Sequence, residues 1–235
     1  RGERPAASIT HEWQVVDDIR DHMLYFLENH DEQRIASDFF CGSAMKAIPA
    51  AAMSLFFQKN PFMLYSGQEF GEKGMDKEGF SGRDGRTTIF DYWSPETLTH
   101  AYQEGEEEAY TAEQKYLAAT YRQLLRLANE EKALREGDTF DLMYVNPGSE
   151  GFDPRTNFAF LRKKDNEVML IVLNFAQEAR QLQVCIPGHA FDFFQITEEE
   201  VLVTELFSGG KKKVELKRGG VFPILMDANG VRIYK

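Results

Sequence analysis

The sequence predicts an α/β segment followed by an all-β antiparallel sandwich, and three observations carry that prediction. Two short apolar runs, Met23 to Leu27 and Phe62 to Tyr65, are separated by a long helical pattern, as in a βα unit. After Gly137 the hydrophobic period changes from helical to alternating. Beyond that point bulky residues recur in short segments broken by turn residues, as in a sandwich or open barrel.

Composition bounds the rest. The 235 residues are 43% hydrophobic and 28% charged, an ordinary globular balance with room for one or two domains. A net charge of −11 argues against nucleic acid as a partner, since binding its phosphates needs a basic face. Cys41 and Cys185 make no disulfide framework and read as two buried free thiols, Cys41 in a helical stretch. No N-terminal signal pattern is present, so the compartment stays open. Ala44 to Phe57 is strongly apolar but holds Lys46 and Pro49 and is shorter than the ~20 residues a membrane span needs. It reads as a buried helix, and no membrane partner is expected.

Taken in order, Trp13, Val16, Ile19 and Met23 recur at helical spacing and predict a short helix over 11–21. Tyr25 to Glu28 reads as a buried strand. Ser37 or Asp38 is a candidate cap for a helix running to about Lys59, with a kink at Pro49. Phe62 to Tyr65 predicts a strand buried on both faces, and Gly67 a sharp exit. Residues 71–86 form a Gly-rich, charged loop. Its Asp76, Glu78 and Asp84 do not have the calcium-loop spacing, so no metal is assigned. The rings in Ile89-Phe90-Asp91-Tyr92-Trp93 either anchor this loop or stack on a sugar. Glu104 to Glu108 is a solvated acidic lead-in. Thr111-Ala112-Glu113-Gln114 is a capping box, opening a helix that buries Leu117, Tyr121, Leu124, Leu125 and Ala128 and ends at Gly137.

Candidate strands follow at 139–145, 157–163, 168–175, 181–186, 201–207, 212–217, 221–227 and 231–235. Asp165-Asn166 and Asn229-Gly230 are hairpin signals. Lys211-Lys212-Lys213 at a Gly-Gly turn predicts a solvated edge that blocks strand pairing. The expected core of 138–235 includes Val145, Phe160, Leu161, Val172, Leu173, Val184, Leu206 and Ile224. Without a long linker, the helix ending at Glu136 should pack on this β region.

The chemistry concentrates in Leu27-Glu28-Asn29-His30-Asp31-Glu32-Gln33-Arg34, where a polar cluster begins as an apolar run ends. The carboxyl end of a strand in a parallel α/β barrel is where catalytic side chains sit. His-Asp alone is an ordinary surface pair. The surrounding Phe-Leu-Glu-Asn-His-Asp, however, resembles the seventh-strand motif of the α-amylase family, glycoside hydrolase family 13. Pro61-Phe62-Met63-Leu64-Tyr65-Ser66-Gly67-Gln68-Glu69 resembles that family's eighth-strand motif. Two matches in order, over residues 23–72, are more specific than either one. Lys59 and Ser66 depart from the family pattern, which often has Gly and Tyr there.

The resemblance implies residues 1–137 as the C-terminal part of a (β/α)8 TIM barrel, with its seventh and eighth strands, and 138–235 as a C-terminal antiparallel β-sandwich domain. It implies a retaining hydrolase or transglycosylase of α-glucans. Asp31 would stabilise the oxocarbenium-like transition state as the third carboxylate, His30 would hydrogen-bond the sugar, and Glu69 would brace the barrel mouth. Arg34 reads as half of a structural salt bridge. No cofactor is implied. The nucleophile and general acid come from earlier strands in this family. A barrel takes about 250 residues, and the 30 residues before Asp31 cannot hold six units. The expectation is a fragment whose partners are an α-glucan or maltooligosaccharide and the rest of the barrel, with self-association when isolated. The alternatives are a non-catalytic carbohydrate-binding β-module with a helical extension and a non-catalytic α-amylase-like protein, such as a transporter subunit.

Overall fold

The computed structural model describes residues 2–76, 83–90, 94–103 and 110–235, with backbone alone at 101 and 102. Glu78, Asp91, Tyr92, Trp93 and the acidic run Glu104 to Glu108, all singled out in the sequence, lie outside the described residues.

The chain opens with helix α1 (Ser8–Val15) and a 3-10 turn at Arg20–His22. The predicted helix over 11–21 is thus displaced and broken, and only Trp13 of its face is anchored, edge-on to Phe57 at 5.0 Å. Strand β1 (Tyr25–Phe26) pairs in parallel with β2 (Phe62–Met63), with Tyr25 opposite Phe62. Both strands were expected longer and buried. Each is two residues long, and Leu24 and Phe26 are exposed, while Leu27, Phe62 and Leu64 pack against the core. Among the described residues there is no closed barrel: the parallel sheet has two strands.

Helix α2 (Ala47–Phe56) joins β1 to β2 and is buried on most sides. It does not start at Ser37 or Asp38. Residues 37–42 instead close turns in which the Ser37 carbonyl accepts from the amides of Phe40 and Gly42, and Cys41 sits in these turns. Pro49 is the third residue of α2 and does not kink it, because first-turn amides have no partner within the helix. Helix α3 spans Glu96–Tyr102, followed by α4 (Ala112–Glu130) and α5 (Lys132–Glu136). The α4 capping box forms as read: Thr111 Oγ1 accepts from the Gln114 amide and Gln114 Oε1 from the Thr111 amide. Glu131, in extended backbone, separates α4 from α5. Gly137 then brings the chain so close to its neighbours that a Cβ would lie 2.6 Å from the Lys163 carbonyl.

The β region begins with β3 (Asp138–Asp141), β4 (Asn157–Lys164), β5 (Glu167–Asn174) and β6 (Arg180–Ile186). Helix α6 (Gly188–Phe194) interrupts the strands and was not foreseen. Strands β7 (Glu199–Thr204), β8 (Lys211–Leu216), β9 (Gly220–Met226) and β10 (Val231–Tyr234) complete it. One sheet has the order β10-β5-β4-β3, while β6 pairs with β9 and β7 with β8, all antiparallel. Asp165 turns the β4–β5 hairpin with φ of 52°. Asn229, with φ of 47°, makes a turn but not a hairpin, since β9 and β10 belong to different ladders. Lys211–Lys213 pairs along β7 in a ladder of two strands among the described residues, so it lies on an edge strand as expected, and Lys212 Nζ lies 4.0 Å from the centre of the Phe222 ring.

The core is shared between the two halves. Phe57 meets Phe158 and Phe160 edge-on at 5.5 and 5.0 Å, so one apolar cluster runs from α2 and α4 into the strands. Phe160, Leu161, Val172, Leu173, Val184 and Ile224 are buried as expected, whereas Val145 and Leu206 are half-buried. Arg162 pins α5 to this core. It is fully buried, and its guanidinium donates to the carbonyls of Phe56, Ala133, Leu134 and Gly137. These carbonyls sit at the ends of α2 and α5, where the helix dipole is negative. Burial lowers the Arg162 pKa to about 10, so it is still a cation at neutral pH. Both cysteines are half-buried, not buried as expected.

Candidate active site

The site grows from the shared direction of β1 and β2. Parallel strands release their chains at the same end, so the segments after Phe26 and after Met63 leave side by side. The first carries Glu28 to Arg34, the second Tyr65 to Glu69.

Asp31 and His30 stand at the outer rim of the first segment. Their side chains are 77% and 46% exposed, and His30 Nε2 lies 3.6 Å from Asp31 Oδ2. Asp31 is in a loop five residues beyond β1, not on the strand itself. Asn29 shapes that loop: its Oδ1 accepts from the amides of Asp31 and Glu32 at 2.8 and 2.9 Å. This is the Asx turn for which asparagine is suited.

Beneath the rim lies a buried ion pair. Glu28 and Arg34 are 2% and 1% exposed, with Arg34 Nη1 donating to Glu28 Oε2 at 2.9 Å. The same guanidinium donates to the Ser66 carbonyl and to Thr87 Oγ1, each at 2.7 Å, and covers the Tyr65 ring at 4.1 Å. Glu28 Oε1 accepts from the Ile35 amide at 2.8 Å, and the Arg34 amide donates to the Gly85 carbonyl. One side chain thus ties together the loop carrying Asp31, the exit of β2 and the segment 83–90. Burial raises the Glu28 pKa above the usual carboxylate range, against the pull of Arg34, and the nearby Glu72 adds to the rise.

The exit of β2 has its own brace. Gly67 adopts a φ of 90°, favoured by glycine, and its amide donates to Glu69 Oε2 at 3.1 Å. Gln68 donates to Tyr121 Oη at 2.8 Å, fixing the turn to α4. A cavity of about 420 Å³ opens beside it, lined by Tyr65, Ser66, Thr87, Thr99 and Leu98. Its walls carry several hydroxyls, the kind of surface that can exchange hydrogen bonds with another polyhydroxyl compound.

Sequence reasoning found the rim and the ion-pairing role of Arg34, but not Glu28 as its partner, nor Thr87 and Glu72. A carboxylate directly after an apolar run was the available signal, since a buried charge needs a partner.

No family model and no curated protein matches the sequence. Solved structures do match, and they define a class. AmyP in complex with maltose aligns with 98% of this chain at a TM-score of 0.65 and 14% identity. The α-amylase from Geobacillus thermoleovorans, complexed with acarbose, aligns with 98% at 0.61 and 16% identity. A trehalulose synthase variant in complex with Tris aligns with 99% at 0.59 and 18% identity. The fold is therefore that found in α-amylase-family structures, and it extends over nearly the whole chain. The chain spans less than half the length of those structures, 44%, 44% and 47% in the same order. Among the described residues, no helix is long and apolar enough to cross a membrane.

Proposed function

We propose that this chain is the C-terminal portion of an α-amylase-type glycoside hydrolase that acts on α-glucans with retention of configuration. In this reading residues 1–137 complete a (β/α)8 barrel as its last two strands and their helices, and 138–235 form the domain that follows. The observation that carries it is the parallel β1–β2 pair, which sends both motif segments out of one end with His30 and Asp31 exposed at the rim. The likeness to structures holding maltose and acarbose supports a glucan as substrate.

Asp31 does not act on the bond itself. As sugar C1 gains positive charge, a fixed carboxylate nearby stabilises the transition state more than the ground state. His30 hydrogen-bonds a sugar hydroxyl at the same subsite. The nucleophile and proton donor, which retention requires about 5–5.5 Å apart, come from barrel strands outside this chain. Glu28 cannot substitute, being buried against Arg34, and Glu69 is held by the Gly67 amide. The isolated chain accordingly has no glycosidase activity.

The test uses the complete reading frame that contains this chain. Asp31→Asn should lower kcat on a chromogenic α-maltooligoside by about 10²–10³ or more without lowering the melting temperature. Turnover like that of the unaltered enzyme refutes the role. Clear release by the 235-residue chain alone, abolished by Asp31→Asn, refutes the division of labour.

A further inference from the structure

A second cavity, of about 490 Å³, lies away from the rim, where the N-terminal arm crosses the turn at 41–46 and the segment 155–177. Arg4, Lys46 and Arg155 line it, and no aspartate or glutamate does. In a chain of net charge −11, an entirely cationic lining runs against the general composition. The three cations come from three separate segments, so the tertiary fold and not a local run of charge brings them together.

Each cation is differently held. Lys46 is half-buried and its Nζ is fixed by donation to the Cys41 carbonyl at 2.9 Å, with no carboxylate partner among the described residues. Two bonds pin the backbone at Arg155, the Ala6 amide to the Arg155 carbonyl and the Ala7 amide to the Pro154 carbonyl, each 2.9 Å. The Arg155 side chain makes no ion pair among the described residues. Arg4 pairs with Glu12 at 2.9 Å and is partly neutralised. Asp153 lies outside the lining; its carboxylate accepts the Arg155 amide and pairs with Arg180. Lys46 and Arg155 thus line the cavity without an ion pair among the described residues.

We infer that this cavity binds the phosphate of a phosphorylated monosaccharide, with Lys46 and Arg155 holding the anion. Guanidinium and ammonium donors suit phosphate oxygens. The volume is in the range of small-molecule pockets and exceeds what phosphate alone would fill. Phe175 in the lining offers an apolar surface for a sugar ring. The inference rests on this cavity alone and stands whether or not the rim is catalytic.

The test is equilibrium binding to the 235-residue chain by calorimetry, with glucose 6-phosphate, inorganic phosphate and glucose as probes. Saturable glucose 6-phosphate binding, competed by inorganic phosphate and weakened by salt, is expected. Arg155→Gln should weaken it about tenfold or more. That side chain is exposed, so the melting temperature should not change. Lys46→Gln should weaken it as well. The inference is overturned by absent binding, by glucose binding as tightly as its phosphate, or by affinity that Arg155→Gln leaves unchanged.

Discussion

Replacing Arg34 with methionine separates the two roles of the buried ion pair. The substitution keeps most of the side-chain volume and removes the guanidinium. Glu28, 2% exposed, then retains one donor, the Ile35 amide at 2.8 Å. Removing one partner of a buried pair costs about 3–5 kcal/mol, because the other charge is left uncompensated. The Ser66 carbonyl and Thr87 hydroxyl also lose donors, which places the expected loss in the upper half of that range. The loss depends on pH. The folded-state pKa of Glu28 is already raised, so the proton is held more tightly in the folded chain than in the unfolded one. This contribution to stability is present below the unfolded carboxylate value and is lost as pH rises through the folded value. Without Arg34 the folded value rises further. The deficit of Arg34→Met should therefore be largest at neutral pH and shrink as pH falls through the carboxylate range. Urea unfolding followed by circular dichroism at several pH values measures it. Glu28→Gln combined with Arg34→Met should recover much of the loss at neutral pH. A single-variant deficit below about 1 kcal/mol, or one that grows with acidity, would show that the pair is not the buried strut described here.

Arg162→Met should cost about 3 kcal/mol or more in urea unfolding, since it leaves the buried carbonyls of Phe56, Leu134 and Gly137 without their donor at roughly 1–3 kcal/mol each before relaxation, while that of Ala133 keeps the Gly137 amide; a loss below about 1 kcal/mol would refute the assignment. Gly151→Ala should destabilise the β region by more than the ~1–2 kcal/mol of left-handed backbone alone, because its φ is 74° and the added Cβ would lie 2.0 Å from the Gln181 carbonyl. A melting temperature equal to that of the parent chain would contradict that contact. The isolated chain should elute in gel filtration above its 27.0 kDa monomer mass, through exposed Val15, Ile19, Leu24 and Phe26 around the open parallel sheet. Lysine at Leu24 and Phe26 should restore the monomer, and a parent chain that is already monomeric removes the argument.

Legibility in the sequence followed the range of the forces involved. The capping box depends on two residues three apart, and Thr111 and Gln114 could be read directly. The strands β4, β5 and β6 were found within a residue or two because alternation is a local consequence of the pleat. Asn229-Gly230 gave the turn but not its consequence: whether β10 returns along β9 or crosses to β5 is decided by the packing of whole sheets. The apolar runs around Tyr25 and Phe62 were read as long buried strands, but burial depends on what covers the sheet, and no local pattern states that. Thr87 was invisible for a related reason, since it meets Arg34 across 53 residues of chain. Arg162 ends the apolar run of β4 and is followed by Lys163 and Lys164, so no local pattern marks it as the buried member of that basic stretch.

These differences bear on how the rim can work at all. The β region has long ladders and shares its core with α2 and α4, so its geometry is fixed by many contacts at once. The segment carrying Asp31 has a two-residue strand behind it and solvent in front. In the role proposed for Asp31, a carboxylate that stabilises a transition state would have to be held still before the charge develops, or its reorganisation would consume the benefit. Backbone pairing at β1 is too short to supply that. The Asn29 turn fixes the loop from within, and Arg34 fixes it from below to Ser66 and Thr87. Desolvating Glu28 is then the cost of rigidity at the rim. The burial that raises its pKa also keeps water from competing for the Arg34 donors. A hydrophobic pair in the same place could match the stability, but it could not hold three chain segments in one orientation through directed bonds.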